Sequence, residues 1–397
     1  MTELDFTQLF LALTLLLILA KSLGEVCERV GLSAIVGEIA AGIVVGPSLL
    51  GPLLFSTTPA ADRAFELVAE LGAVLLLFWV GYREVRIERL KEIGIPELKA
   101  TPIAFGVPFV SGFLLALAFG RGVLSAMFLG LAVSLTGLGV AVRTLMDVGK
   151  LQTDYGTDIL WITVLGDIFA LVVLGVLGSA VGGERLTLGA TGFMLLRIAL
   201  FFSGAYLFYR FLISPVASMI LKFQVDEAKL GLVLGILFTF CYLSSLVGLH
   251  MVIGAFVAGL IVARKRELRT REMELKISGL AYGLFIPLFF ALLGSKMQLN
   301  AFWHVPVLAF AVVVLGLASK FLGGLLGGLA SRMNLHHSLM LGFGLMPKGG
   351  VDLVVIALGL KYGAVDFQMF SAFMGMVLLS LIAAPILLKL FGERLKP

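Results

Sequence analysis

Leu160-Trp161-Ile162-Thr163-Val164-Leu165-Gly166-Asp167-Ile168-Phe169-Ala170-Leu171-Val172-Val173-Leu174 is an apolar run with one carboxylate near its centre. About 20 such residues in a helix cross a bilayer. Asp167 therefore sits mid-span, with no basic neighbour in its own helix. A charge at that depth costs roughly 3 kcal/mol on insertion scales. The residue needs a partner, a proton or an ion. Burial favours a protonated carboxyl and a nearby cation favours the ionised one, so a group balanced between them can exchange a proton near neutral pH. Carboxylate oxygens also suit small, hard cations. The alternative is a neutral, hydrogen-bonded Asp that fixes helix packing.

The rest of the chain has the same character. Of 397 residues, 60% are hydrophobic and only 14% charged, against about 25% charged in soluble domains. This excludes a soluble enzyme, a nucleic-acid binder and a disordered regulator. The apolar stretches are continuous and about 20 residues long, which argues against a membrane β-barrel. The two cysteines, Cys27 and Cys241, lack metal spacing. The acidic start, Met1-Thr-Glu-Leu-Asp, does not resemble a cleavable signal peptide.

Thirteen hydrophobic segments are expected near 7–23, 32–51, 65–82, 99–119, 123–145, 157–181, 187–211, 228–248, 250–264, 276–294, 301–331, 338–360 and 367–390. The net charge of +5 sits at helix ends. Loops after odd-numbered segments, with the C-terminus, carry about 22 of the 30 Lys and Arg. The opposite side carries about five: Arg63, Arg121, Arg185, Lys296 and Lys361. By the positive-inside rule the N-terminus faces out and the C-terminus is cytoplasmic. The expected location is the cell inner (plasma) membrane. The fold class is an all-α polytopic membrane protein. Segments 1–6 and 8–13 form two inverted six-helix repeats joined by a linker helix, segment 7, as in many secondary transporters.

Segments 2 and 9 echo each other as Gly37-Glu38-Ile-Ala-Ala-Gly42 and Gly254-Ala-Phe-Val-Ala-Gly259. Segments 5 and 12 are both glycine-interrupted, at Ser134-Leu-Thr136-Gly137-Leu-Gly139 and Met346-Pro347-Lys348-Gly349-Gly350. Matched discontinuous helices point to a midplane site. There Thr136 and Ser134 can offer oxygens to a cation, or simply pack. Lys320, deep in segment 11, either has an acid partner or snorkels to the interface. Lys348 can balance half-helix ends. Asp352 lies four residues on, and the two could instead form a local pair. Glu38 and Glu70 are read as structural, and Arg197 has no assigned role. His250, His304, His336 and His337 lack metal spacing and are read as surface residues.

No zinc-protease His-Glu-x-x-His, phosphate-binding glycine loop or other cofactor motif occurs, so no cofactor and no enzymatic activity are expected. Val164-Leu165-Gly166-Asp167 also lacks the first glycine of the Gly-x-Gly-Asp motif of intramembrane aspartyl proteases.

These residues together resemble the monovalent cation/proton antiporter superfamily, in its branch of prokaryotic sodium/proton and potassium/proton exchangers. The landmarks are Val36-Gly-Glu-Ile-Ala-Ala-Gly-Ile-Val-Val-Gly-Pro47, Ala69-Glu-Leu-Gly-Ala-Val-Leu-Leu-Leu-Phe-Trp-Val-Gly81, Val252-Ile-Gly-Ala-Phe-Val-Ala-Gly259, Pro287-Leu-Phe-Phe-Ala-Leu-Leu-Gly294 and Met346-Pro-Lys-Gly349. The resemblance implies dimerisation-domain helices in 1–98 and 227–300. It implies core-domain helices in 99–186 and 301–397, and a linker helix in 187–226. Unwound segments 5 and 12 would cross near Asp167, the acid that alternately carries a proton and a metal cation. Lys320 matches the family's buried lysine, and Thr136 its polar position in segment 5.

The sequence also departs from the family. Gly166 stands where relatives place Asp or Asn, and Pro347-Lys348-Gly349-Gly350 replaces Pro-Arg-Gly-Glu. Asp352 is a candidate for the missing carboxylate. No soluble nucleotide-binding regulatory domain is expected.

The expected activity is H⁺ exchange for Na⁺ or K⁺ by alternating access, electroneutral because one carboxylate serves both ions, with a role in pH homeostasis. The expected partners are the two ions, the lipid bilayer and a second copy in a homodimer, with no nucleic acid. A sodium-coupled symporter of organic anions would want more polar side chains at the crossing. A membrane sensor would want a signalling domain, and a channel a filter motif.

Overall fold

The computed structural model describes residues 3–46, 59–84, 94–138, 140–141, 145, 149–150, 153–181, 188–223, 225–247, 249, 251–265, 267–297, 299–300 and 305–394. All regular structure among them is helical. With no water available in a bilayer interior, a helix satisfies backbone groups within its own segment. Nine helices among the described residues are long and apolar enough to cross a membrane, and three apolar helices are shorter. Their large apolar side chains are turned outward at many points, among them Phe10, Ile18, Leu114, Phe169, Leu200 and Phe310. Such a surface suits lipid rather than water.

The chain divides into two units. The first comprises Met1–Leu67, Lys91–Ala170 and Pro287–Pro397. It holds α1 (Glu3–Arg29) and α2 (Ala34–Val45), and begins α3 (Pro59–Trp79). Next come α4 (Ile95–Ala118), α5 (Val123–Ser134) and most of α6 (Asp154–Val181).

The second unit comprises Val68–Leu90 and Leu171–Ile286. It contains α7 (Leu188–Leu207), α8 (Ile213–Leu221), α9 (Asp226–Leu246), α10 (Met251–Ala263) and α11 (Arg271–Leu280). Three π-helical turns, Val80–Glu84, Phe208–Leu212 and Ala281–Phe285, prolong α3, α7 and α11. Each continues its helix without a break. Segment 7, expected to stop near 211, continues to Leu221 in this way.

The first unit resumes at Pro287, within α12 (Ile286–Ser295), and continues with α13 (Pro306–Ala330), α14 (Leu335–Gly344), α15 (Val351–Lys361) and α16 (Phe367–Arg394). Local chemistry sets the ends. Ser33 accepts a hydrogen bond from Ile35 N at the start of α2, and Asn334 accepts one from His337 N, 2.8 Å, at the start of α14. Segment 12 is not one helix: Leu345–Gly350 separates α14 from α15. Gly349 there adopts φ 120°, a backbone conformation glycine accepts at little cost.

Close packing in this unit depends on small residues. α13 carries Gly323-Gly324-Leu-Leu-Gly327-Gly328. A Cβ on Gly323 or Gly327 would press the α4 backbone at Ala104 and Ala100. One on Gly324 or Gly328 would press α14 at Gly342 and Ser338. The helix is thus wedged between two neighbours with backbone nearly against backbone.

Candidate functional site

The site begins where α5 stops. Leu135, Thr136 and Gly137 leave helical geometry, and the break between α14 and α15 passes beside them. Gly137 N donates to Pro347 O at 2.7 Å, and Thr136 Oγ1 donates to Leu345 O at 2.8 Å. A Cβ on Gly137 would come within 2.8 Å of the Lys348 carbonyl carbon, so the two interrupted stretches meet only because residue 137 is glycine.

A helix that ends inside protein leaves carbonyls without intrahelical donors and a partial negative charge. Two buried lysines meet that need at α5. Lys348 Nζ donates to Ala132 O (3.1 Å), Val133 O (2.7 Å) and Leu135 O. Lys320 Nζ donates to Ser134 O. Lys320 is 3% exposed and does not snorkel. The opposite pole is treated in the mirror sense. At the N-terminal end of α15, the Asp352 carboxylate accepts from Gly350 N (2.7 Å) and Gly349 N (3.2 Å). The hydrogen bonds of Lys348 and Asp352 thus go to half-helix ends rather than to each other. Lys348 N is held in turn by Ser380 Oγ at 3.1 Å.

Asp167, on α6, is 2% exposed. It lines a small cavity with Thr101, Phe105, Ser134, Thr136, Thr163 and Lys320. The free space is about 10 Å³, roughly that of one water or one small ion. The structure therefore brings Asp167, Thr136, Ser134 and Lys320 together and sets Lys348 and Asp352 just outside, at the helix ends. The Ser134 hydroxyl donates to Leu131 O at 2.7 Å, leaving its oxygen lone pairs available. Gly166 also lines the cavity; a Cβ there would meet only Phe105 at 3.9 Å. Space does not forbid a larger residue at 166.

Thr163 is a lining residue the sequence reading passed over. Its Oγ1 is buried and has no hydrogen-bond partner among the described residues. It stands one turn before Asp167, on the same helical face, a spacing visible in the sequence. A buried hydroxyl left unsatisfied is costly unless a ligand completes it. Thr163→Val keeps the shape and removes the oxygen. It is expected to raise the apparent KM for the cation about tenfold, for a lost contact of about 1.4 kcal/mol. Alkali-ion titrations of transport check this, and an unchanged KM would remove Thr163 from the ligand set.

The remaining polar residues fall elsewhere. Glu38 is buried in α2, with Lys21 Nζ at 4.0 Å. His250 and His304 lie outside the described residues. His337 corrects the surface reading: its Nε2 is 2.7 Å from Asp158 Oδ2, and its side chain is 18% exposed. Its position at a helix end made it look solvated, but the start of α14 is packed against α6.

The family model for the transmembrane part of sodium/hydrogen exchangers matches residues 12–393. The chain is 28% identical over 391 residues to the Na(+)/H(+)-K(+) antiporter GerN of Bacillus cereus, covering 98% of this chain and 97% of that one. It is also 28% identical over 367 residues to the probable Na(+)/H(+) antiporter GerT of the same organism, covering 91% and 94%. Its fold matches that of the sodium proton antiporter MjNhaP1 from Methanocaldococcus jannaschii, with a TM-score of 0.73 at 16% identity, over 98% of this chain and 99% of that one. A chain with a buried acid at the meeting of two interrupted helices, matched over almost its whole length, belongs to the sodium/hydrogen exchanger family.

Proposed function

We propose that this protein is a secondary active antiporter that exchanges H⁺ for a monovalent cation, Na⁺ or K⁺, by alternating access. One observation carries the reading. One carboxylate, that of Asp167, lines an ion-sized cavity together with the hydroxyl-bearing residues Thr163, Ser134 and Thr136. A proton and a small cation compete for such a carboxylate, because each neutralises the same charge. Competition couples the fluxes without a second gate. The cation takes the place of the proton on Asp167, the hydroxyl oxygens complete its shell, and the loaded site opens to the other side of the membrane. Lys320 and Lys348 hold the end of α5 fixed beside it.

The finer architecture belongs to the same proposal. It comprises thirteen spans in two inverted six-helix repeats, and a core domain and a dimerisation domain divided as the resemblance implies. It also includes a homodimer in the plasma membrane, with the N-terminus outside and the C-terminus inside. The positive-inside count and the paired interruptions at 134–139 and 346–350 support it.

The test is proton flux in proteoliposomes, followed with a pH-sensitive dye while Na⁺, K⁺ and Li⁺ are added in turn. A cation gradient is expected to drive H⁺ in the opposite direction. One acid displaces one proton, so an imposed membrane potential should leave the rate unchanged. Cation-independent flux would overturn the antiporter, and acceleration by voltage would overturn the one-for-one stoichiometry.

A further inference from the structure

We propose that the Phe105 ring is the movable wall of the Asp167 cavity, and that Gly166 keeps open the notch into which the ring swings when an ion enters or leaves. What passes the wall rests on the antiporter reading; that the wall moves does not. The residues concerned, on α4 and α6, all belong to the first unit.

The cavity is closed tightly enough that something has to move. Its free space is about 10 Å³, so an ion held there touches its walls. Much of the apolar wall is fixed. Ala104, Ile162 and Leu345 belong to the buried core that includes Ile159, Met340 and Leu341. Leu135 is fully packed, and its carbonyl accepts from Lys348. Phe105 lines the cavity but stands outside that core. Its ring meets that of Phe169 edge-on, with 4.9 Å between centroids and 83° between planes. Phe169 is 54% exposed. Here a ring that lines the cavity touches a ring that lies at the surface.

Gly166 faces the Phe105 ring from α6. Gly137, Gly324 and Gly327 are explained by packing, since a Cβ on any of them would come within 2.8 Å of neighbouring backbone. Gly166 has no such explanation. Among the described residues, a Cβ there would find one atom within 4 Å, the Cδ2 of Phe105 at 3.9 Å. Nor is Gly166 among the glycines with positive φ. Glycine inside a helix is destabilising relative to alanine, and here neither close packing nor backbone conformation asks for it. What it leaves is empty space on the cavity side, facing the ring.

The ring has the means to use that space. A helical Phe has two accessible χ1 wells, and passing between them carries the ring across the helix surface. Phe105 rests nearly parallel to Phe109, at 6.0 Å and 16°, and Phe109 rests on Phe113 at 6.3 Å and 12°. Each aromatic pair is a weak contact, so this column on α4 sets a resting position without locking it. Turning off Phe109 toward Gly166 uncovers the cavity on the side of Phe169.

The first test is the split between turnover and affinity in cation-driven proton flux. Gly166→Ala fills the notch and leaves the resting ring in ordinary contact. Turnover should fall about tenfold with the cation KM unchanged, and the Tm should not fall, because alanine favours the helix. Adding Phe105→Leu, a shorter side chain to swing, should raise turnover about fivefold over Gly166→Ala alone, the non-additivity expected of residues in contact. Unchanged turnover in Gly166→Ala, a raised KM, or no rescue by Phe105→Leu overturns the proposal.

The second test needs no ion exchange. In the full chain carrying Cys27→Ala and Cys241→Ala, Thr101→Cys puts a thiol in the cavity wall. Its modification in proteoliposomes by a small water-soluble methanethiosulfonate, followed by mass spectrometry, reports how often the wall is open. Phe105→Ala should speed modification about tenfold and Gly166→Ala should slow it about tenfold, as the open population changes. Equal rates in the three backgrounds overturn the movable wall even where flux is robust. The expected rates in a protein without cation-driven flux overturn the antiporter reading and leave the wall standing.

Discussion

Asp167→Asn is expected to abolish cation-dependent proton movement while leaving a folded protein. The substitution keeps the side chain's size, and the site at 2% exposure gains no new volume or charge. What it loses is the capacity to exchange H⁺ for a metal ion, since an amide neither releases a proton near neutral pH nor compensates a cation's charge. Two measurements separate loss of function from loss of structure. Thermal unfolding in detergent should give a Tm at or above that of the wild type, because a buried ionisable group has been neutralised. Addition of Na⁺ or K⁺ is expected to raise the wild-type Tm by binding the native state, and should no longer do so in the variant. Retained exchange with an undiminished cation dependence would sink the assignment of Asp167.

The second large effect falls on stability. Lys348 is completely buried, and its ammonium satisfies three carbonyls at the end of α5. Lys348→Met keeps most of the length and removes all three donors. Each orphaned carbonyl costs about 1–3 kcal/mol, so a loss of about 3 kcal/mol or more is expected. In size-exclusion and thermal-shift measurements this appears as little monodisperse protein, or as a Tm lower by roughly 5 °C or more. Lys222→Met, at an exposed position, should leave both unchanged. Equal stability of the two variants would mean that the α5 carbonyls find other donors and that Lys348 is not their cap.

Much of the site was legible because of its solvent. In an apolar medium every charge stands out, so Asp167 and Lys320 declare themselves, and glycine next to serine and threonine marks the break at Thr136. The structure then places Asp167, Lys320, Ser134 and Thr136 around one cavity. Partners distant in the chain were not legible. Lys348 and Asp352 look like an adjacent pair when read along one helix. Their hydrogen bonds run instead to α5 carbonyls more than 200 positions away and to backbone N–H groups at 349 and 350. That outcome depends on two breaks meeting in space, which no local period reports.

Thr163 was hidden differently, since threonine is common in apolar helices and only its orphaned hydroxyl marks it. The end of α7 was misjudged because a π-helical turn lets the helix continue past the point where its apolar pattern fades. His337 was misjudged because a helix end need not be a wet one.

The paired glycines of α13 have a mechanical consequence. Where neighbouring helices touch through bare main chain, there are no long rotamers to yield and take up slack. A push on α4, α13 or α14 is then passed to the others almost undiminished, as in a laminate whose plies are bonded without filler. In the proposed alternating-access cycle such a body would travel whole, and whatever the cavity at Asp167 held would be carried with it.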